Sequence, residues 1–204
     1  MNTAPKSPRR PKGSGHLRRS EILEAAQRIF VEDGYQGATV RKIAQEVGVS
    51  STAIYMHFPD KLAMVSEIAA NAISVLLGHA REIAARPIDP AIRAREMMAA
   101  HMRFALENRS AYAVVFGEAQ AEIREGGAHS LGVEYYQCFA GVVGELARQG
   151  RLRREHPHAV AQTMWAGCHG LVTLLILNPD FGWMPVDELT EAMTETLMAG
   201  ALKA

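Results

Sequence analysis

The sequence predicts an all-α fold in two domains over its 204 residues. Three observations carry that expectation. Apolar residues recur at helical rather than alternating spacing along most of the chain, with no internal repeat. Residues 36–61, QGATVRKIAQEVGVSSTAIYMHFPDK, encode two short helices around a glycine turn. The charge is also split: ten Lys or Arg stand against six Asp or Glu in residues 1–61, and twelve against sixteen in residues 62–204, giving +4 and −4 on a chain of zero net charge. A basic N-terminal module followed by an acidic remainder is expected when one part meets phosphates and the other does not.

The elements follow in order. Residues 1–16 are basic and lack the apolar core of a secretory signal, so they read as a disordered arm, either a solvated tail or a source of phosphate and minor-groove contacts. A first helix is expected over residues 17–33, with Ile22, Leu23, Ala26, Ile29 and Phe30 inward and Gly34 as breaker. Thr39 can cap a second, whose Val40, Ile43, Ala44 and Val47 form one apolar face, and Gly48 ends it. Ser50 can cap a third, turning Ala53, Ile54 and Phe58 inward and leaving Ser51, Thr52, Tyr55 and His57 outside. Asp60 can cap a long helix over 61–86. Helices are then expected over 90–107, 110–124, 130–149, 156–177 and 185–202, separated by Pro87, Gly126-Gly127, Gly150 and the NPDFGWMP link, for a total of about nine.

Two short helices around a glycine turn make a helix-turn-helix, in which the second helix enters the DNA major groove. The stretch from Arg18 to Lys61 goes further and resembles the DNA-binding domain of the tetracycline-repressor (TetR) family of bacterial regulators. The resemblance lies in Ile22-Leu23-Glu24-Ala25-Ala26, Phe30, Gly34-Tyr35, Thr39, Ile43-Ala44, Gly48-Val49-Ser50, Tyr55, His57-Phe58 and Lys61. Trp165-Ala-Gly-Cys-His169-Gly170 is similar to the Trp-x-x-x-His-Gly signature of one C-terminal domain type in that family. The resemblance implies a head over residues 17–61 and a regulatory and dimerisation domain over 62–204. It further implies phosphate contacts from Tyr55, His57 and Lys61, whose phenol, imidazole and ammonium are all donors. Arg41, Ser51 and Thr52 are candidates for base edges, because an arginine can bridge two guanine acceptors and small hydroxyls suit several edges. Thr39 is a cap that can also serve a phosphate.

Composition narrows the alternatives. Cys138 and Cys168 stand thirty residues apart with no metal-like or redox spacing, which suits a reducing cytoplasm. Residues 159–178 are long and apolar enough to cross a membrane, but their Gln162, Thr163, His169, Thr173 and two glycines fit better a helix buried all round in an oligomer. The eight histidines form no metal-binding pattern, so no metal and no cofactor are expected. Nor is there a nucleophile elbow, a phosphate loop or an acid and base pair, so an enzyme is not expected. Met97, His101, Phe104, Tyr112, Phe116, Glu118, Tyr136, Trp165 and His169 are candidates to line a ligand site, although the same periodicity describes plain core. The expectation is a cytoplasmic homodimer that binds a palindromic operator on double-stranded DNA, most simply as a repressor released by a small molecule. The alternative is a ligand-independent co-regulator or structural DNA-binding protein. A seam around Leu171 and Leu197, approached closely over Gly167 and Gly170, is the expected dimer contact.

Overall fold

The computed structural model describes residues 15–117, 123 and 127–203. Among them nine helices follow one another: α1 (Gly15–Gly37), α2 (Val40–Val47), α3 (Ser51–Tyr55), α4 (Lys61–Ala84), α5 (Pro90–Glu107), α6 (Arg109–Phe116), α7 (Gly127–Arg148), α8 (Pro157–Leu177) and α9 (Val186–Ala201). The remaining regular pairing described is an isolated antiparallel bridge between Leu152 and Leu202. The fold class is therefore all-α. Residues 1–14 of the expected arm, and Glu118, lie outside the described residues, while residues 15 and 16 already belong to α1.

Contacts divide the chain into Met1–Met64 and Val65–Ala204. In the first unit, the backbone at Gly34 adopts φ 70 and ψ 170, a region open essentially to glycine alone, and α1 resumes after that break. Thr39 caps α2, its hydroxyl accepting from the Lys42 N–H at 3.2 Å. Gly48 then turns left-handed at φ 73, and the Val49 N–H returns to the Ala44 carbonyl at 2.8 Å, closing the helix end. Ser50 caps α3 through the Ala53 N–H, and Asp60 caps α4 through the Ala63 N–H. Ile22, Ala26, Phe30, Ile43, Ile54 and Phe58 are buried between these helices.

In the second unit α5, α7, α8 and α9 share a core that includes Met98, Met102, Val143, Leu146, Met164, Val172 and Met198. Arg93 is buried in it. Its guanidinium donates to the Ala84 carbonyl at 2.7 Å, to the Ile88 carbonyl, and to both oxygens of Glu145, so it closes the C-terminal end of α4 and ties α5 to α7. The same hydrogen bond holds the Glu145 carboxyl below the usual carboxylate range.

Two expected boundaries need correction. The sixth helix starts at Arg109, not Ser110, and ends at Phe116, well short of residue 124. Gly127 is not a spacer but the first residue of α7. Within one protomer α8 is buried on one face: Val160, Met164, Cys168, Leu171, Val172 and Leu175 face the core of their own unit, while Leu174 and Leu177 are 49% and 66% exposed. Leu171, at 8%, is thus an internal residue. Gly167 also serves the unit itself, since a Cβ there would stand 3.1 Å from the Leu197 methyls, whereas Gly170 faces open space. Both α4 and α8 are long and apolar enough to cross a membrane by length and composition, and they bury 44% and 39% of that apolar stretch within the protein.

Candidate DNA interface and ligand cavity

The candidate DNA-facing side chains fall into two groups. Arg41, Thr52 and Tyr55 are exposed, and Ser51 is half-buried at the first position of α3. His57 is half-buried as well, and its backbone carbonyl is taken by the Arg19 guanidinium, whose Cζ lies 4.1 Å from the centre of the Phe58 ring. That contact ties α1 to the segment following α3. Thr39 is exposed, but its hydroxyl is occupied as the α2 cap. The sequence reading missed Met56, which ends α3 with 83% exposure next to Tyr55 at 55%. The signal was present: Met56 lies off the apolar face of Ala53, Ile54 and Phe58, which leaves an apolar side chain without a core to enter.

Lys61 is placed differently from a free surface cation. Its ammonium donates to the Tyr35 carbonyl at 2.6 Å and to the Ala38 carbonyl at 3.3 Å, and it sits 4.1 Å from the Tyr35 ring centre. Two of its three donors therefore hold the α1–α2 junction against the start of α4. One donor remains for a phosphate.

Within the second unit a cavity of about 720 Å³ opens between α4, α6, α7 and α8. Ile73, Leu76, Val115, Phe116, Ile123, Ala128, Val133, Tyr135, Tyr136 and Trp165 line it, with His129, Gly132 and Gln162. Of the sequence candidates it gathers Phe116, Tyr136 and Trp165. Met97 and His101 border only a void of about 10 Å³ behind them, and Phe104 is buried in the core away from both. Ile73, Leu76, Gly132, Val133 and Gln162 were not singled out, because helical periodicity distinguishes inward from outward positions but not wall from core.

Behind the cavity lies a buried polar chain. The His101 ring meets the Tyr135 hydroxyl through Nδ1 and the Tyr112 hydroxyl through Nε2, each at 3.0 Å, and the Tyr112 hydroxyl also meets His169 Nδ1. Tyr112 donates its one proton to one imidazole and accepts an N–H from the other, so the chain has a direction. His169 in turn stacks on Trp165 with centroids 5.3 Å apart and 15° between planes, reaching the cavity wall. Burial pushes His101 down to about 3, with the charge of His169 adding, and also lowers His169. Burial raises the Tyr112 and Tyr135 phenols, and it raises the Cys168 thiol to about 12. All four members of the chain are thus neutral at physiological pH.

A capped helix-turn-helix head followed by a helical unit with an open apolar cavity is the architecture of a DNA-binding regulator. Comparison with known proteins agrees. Residues 22–68 match the family described as bacterial regulatory proteins, tetR family, and residues 94–198 match the tetracyclin repressor-like C-terminal domain. The HTH-type transcriptional repressor KstR2 of Rhodococcus jostii is 30% identical over 141 residues, covering 68% of this chain and 69% of the relative. The HTH-type transcriptional repressor AcnR of Corynebacterium diphtheriae is 50% identical over 64 residues, covering 29% of this chain and 34% of AcnR, so the chain matches only about a third of that relative's length. The structure of the ketosteroid transcriptional regulator KstR2 of Mycobacterium tuberculosis superposes with a TM-score of 0.75 at 21% identity, covering 92% of this chain and 96% of that one. The chain belongs to the TetR family and is a DNA-binding transcriptional regulator.

Two outcomes follow from this geometry. Lys61→Ala removes two hydrogen bonds from an ammonium to backbone carbonyls, so it is expected to destabilise the head by about 1 kcal/mol or more. It should flatten the salt dependence of DNA binding by less than the roughly one unit given by a phosphate-bound ammonium. Thermal melts beside DNA titrations over a salt series check this, and a full unit of slope lost with unchanged melting would return Lys61 to the DNA. The second outcome concerns pH. The folded pKa of His101 lies below its ordinary 6.5, so between pH 6.5 and about 3 the unfolded chain binds a proton that the folded chain refuses. The stability this group provides is full above that window and is lost as pH falls through it, at up to about 1.4 kcal/mol per pH unit. Denaturant titrations at about pH 7.5 and about pH 5.5 should show the loss, and His101→Gln should reduce the difference between the two.

Proposed function

We propose that this regulator is a cytoplasmic repressor, not an enzyme, that binds a palindromic operator as a homodimer and is released by a small molecule held in the 720 Å³ cavity. The cavity is the observation that carries the reading, because it combines a mostly apolar and aromatic lining with the several hundred Å³ that ligand sites occupy. The repressor names of the KstR2 and AcnR relatives support the sign of regulation. Residues 17–61 serve as the DNA head, with Arg41, Ser51 and Thr52 toward base edges and Thr39, Tyr55, His57 and the remaining donor of Lys61 toward phosphates. Residues 62–204 serve for regulation and dimerisation. Ile73 and Leu76 on the cavity wall belong to α4, the same helix that starts at Lys61, so an occupant that shifts α4 acts on the segment entering the head. The ligand must bind the DNA-incompetent form more tightly, since only differential affinity moves the equilibrium. A ligand-independent co-regulator would leave such a cavity without a role.

Gly132 offers a clean test. A Cβ there would stand 3.9 Å from Ile73 Cδ1, an ordinary contact, and methionine is a better helix former than glycine by nearly 1 kcal/mol. Gly132→Met should therefore occupy cavity volume without unfolding α7. We expect it to abolish binding of the neutral dye phenylnaphthylamine while operator affinity, measured on DNA flanking the gene, stays within about twofold. Equal dye binding by both proteins would remove the cavity as the ligand site. For the dimer, the exposed Leu174 and Leu177 replace Leu171 as the seam positions. Leu174→Glu with Leu177→Glu should give folded monomers by sedimentation, whereas Leu171→Glu should destabilise the protomer itself by burying an unpaired charge.

A further inference from the structure

Met56 is the most exposed of the large apolar side chains among the described residues, at 83%, and it closes the helix that carries the candidate base contacts. Its backbone is still helical, with φ −69 and ψ −20, and its N–H donates to the Thr52 carbonyl at 3.3 Å. Met56 therefore lies one turn after Thr52 on the same face, with Tyr55 beside it, while Ile54 and Phe58 turn the other way into the core of the head. Side chains on a helix lean toward its N-terminus, so a methionine here reaches back over the turn that bears Thr52, the end from which a recognition helix meets base edges. Chemistry limits what it can meet there. A thioether has no hydrogen to donate and is only a weak acceptor, so it neither holds a phosphate nor pairs with a polar base edge. What it can do is exclude water from another apolar group. The major groove exposes one such group, the C5-methyl of thymine, and a flexible methionine can settle on it without demanding a fixed geometry.

Resting on the reading of residues 17–61 as a DNA head with Thr52 toward base edges, we infer that Met56 is a specificity-determining residue whose side chain covers a thymine methyl in each half-site of the operator. The contact reads sequence, because cytosine offers no methyl at that place and purines present an N7 acceptor instead. Burying one methyl group corresponds to about fourfold in affinity per half-site. The contact involves no charge, so it adds nothing to the salt dependence of binding. Apolar recognition by Met56 thus stands beside hydrogen bonding by Arg41, Ser51 and Thr52.

Uracil interference tests this, since uracil differs from thymine only by that methyl. A duplex that the full chain itself selects from random-sequence DNA is prepared with uracil scattered in place of thymine. Bound and free fractions are separated, and cleavage at uracil shows which methyls binding needs. We expect uracil at one thymine of each half-site to weaken binding by about fourfold. Met56→Ala should erase those two signals while its melting temperature holds, because the side chain removed lies outside the core. On duplexes carrying thymine or uracil at that one position, Met56→Ala should bind both equally and keep the salt slope of the unaltered protein. A uracil pattern that Met56→Ala leaves intact overturns the inference. So does an affinity loss in Met56→Ala that is the same on both duplexes while the unaltered protein also ignores the methyl, since the side chain then meets the sugar and phosphate backbone. Selection that enriches no sequence has a different meaning, because it removes the reading of the head on which this inference stands.

Discussion

A buried imidazole in an all-helical core is the constraint on which the second unit depends. His101 is 3% exposed on α5, with both ring nitrogens far from solvent, so both need partners from other helices. Tyr112 comes from α6 and Tyr135 from α7, and through Tyr112 the requirement extends to His169 on α8. Hydrogen bonds of this kind are directional, which apolar packing is not. The chain thereby fixes the rotation of four helices about their axes, where the surrounding Met98, Met102 and Met164 would accept several arrangements. It also fixes the cavity, because Tyr135 stands on its wall and His169 carries Trp165 on its ring face.

The head obeys a different rule, satisfaction of helix ends. α2 and α3 hold eight and five residues, too few to be stable alone, so caps and tertiary ties decide whether they form. Thr39, Ser50 and Asp60 each accept one N–H at a helix start, and Gly48 closes the end between the two helices. Arg19 and Lys61 then complete the assembly from outside it, by donating to backbone carbonyls of His57, Tyr35 and Ala38. These cations are spent on geometry. Exposed Arg41, Thr52, Tyr55 and Met56 are what the geometry presents.

The elements legible from sequence were those whose signal is local. A threonine or serine ahead of an apolar face, or a glycine behind one, acts on its own backbone, so Thr39, Gly48 and Ser50 stand where expected. Helices bounded by Pro90 and Leu177 were likewise found to within a residue. What stayed illegible was which inward residue meets another side chain and which meets space. Phe104 and Phe116 look alike in an apolar stripe, yet one is packed and the other borders the cavity, because the difference lies in what the opposing helices place there. The second role of Lys61 was hidden for a similar reason. A lysine after a helix-turn-helix reads as a surface cation until the fold brings the Tyr35 and Ala38 carbonyls to its ammonium.

α8 shows how the two kinds of information combine. Because the helix is apolar on nearly every side, periodicity alone assigned it to burial on all faces, and it could not rank Leu171 against Leu174. The protomer settles that rank: Gly167 lets α9 approach, Leu171 enters the core, and Leu174 and Leu177 remain in solvent. Phe181, 72% exposed, and Met184, 60% exposed, follow in the link to α9, so the exposed apolar residues continue past the helix end. Exposed apolar side chains concentrated in one segment are what an interface between copies would cover. The same composition that suggested a helix buried all round is therefore met in two stages. The core takes one face, and the proposed second copy of the chain takes the face that the core leaves free.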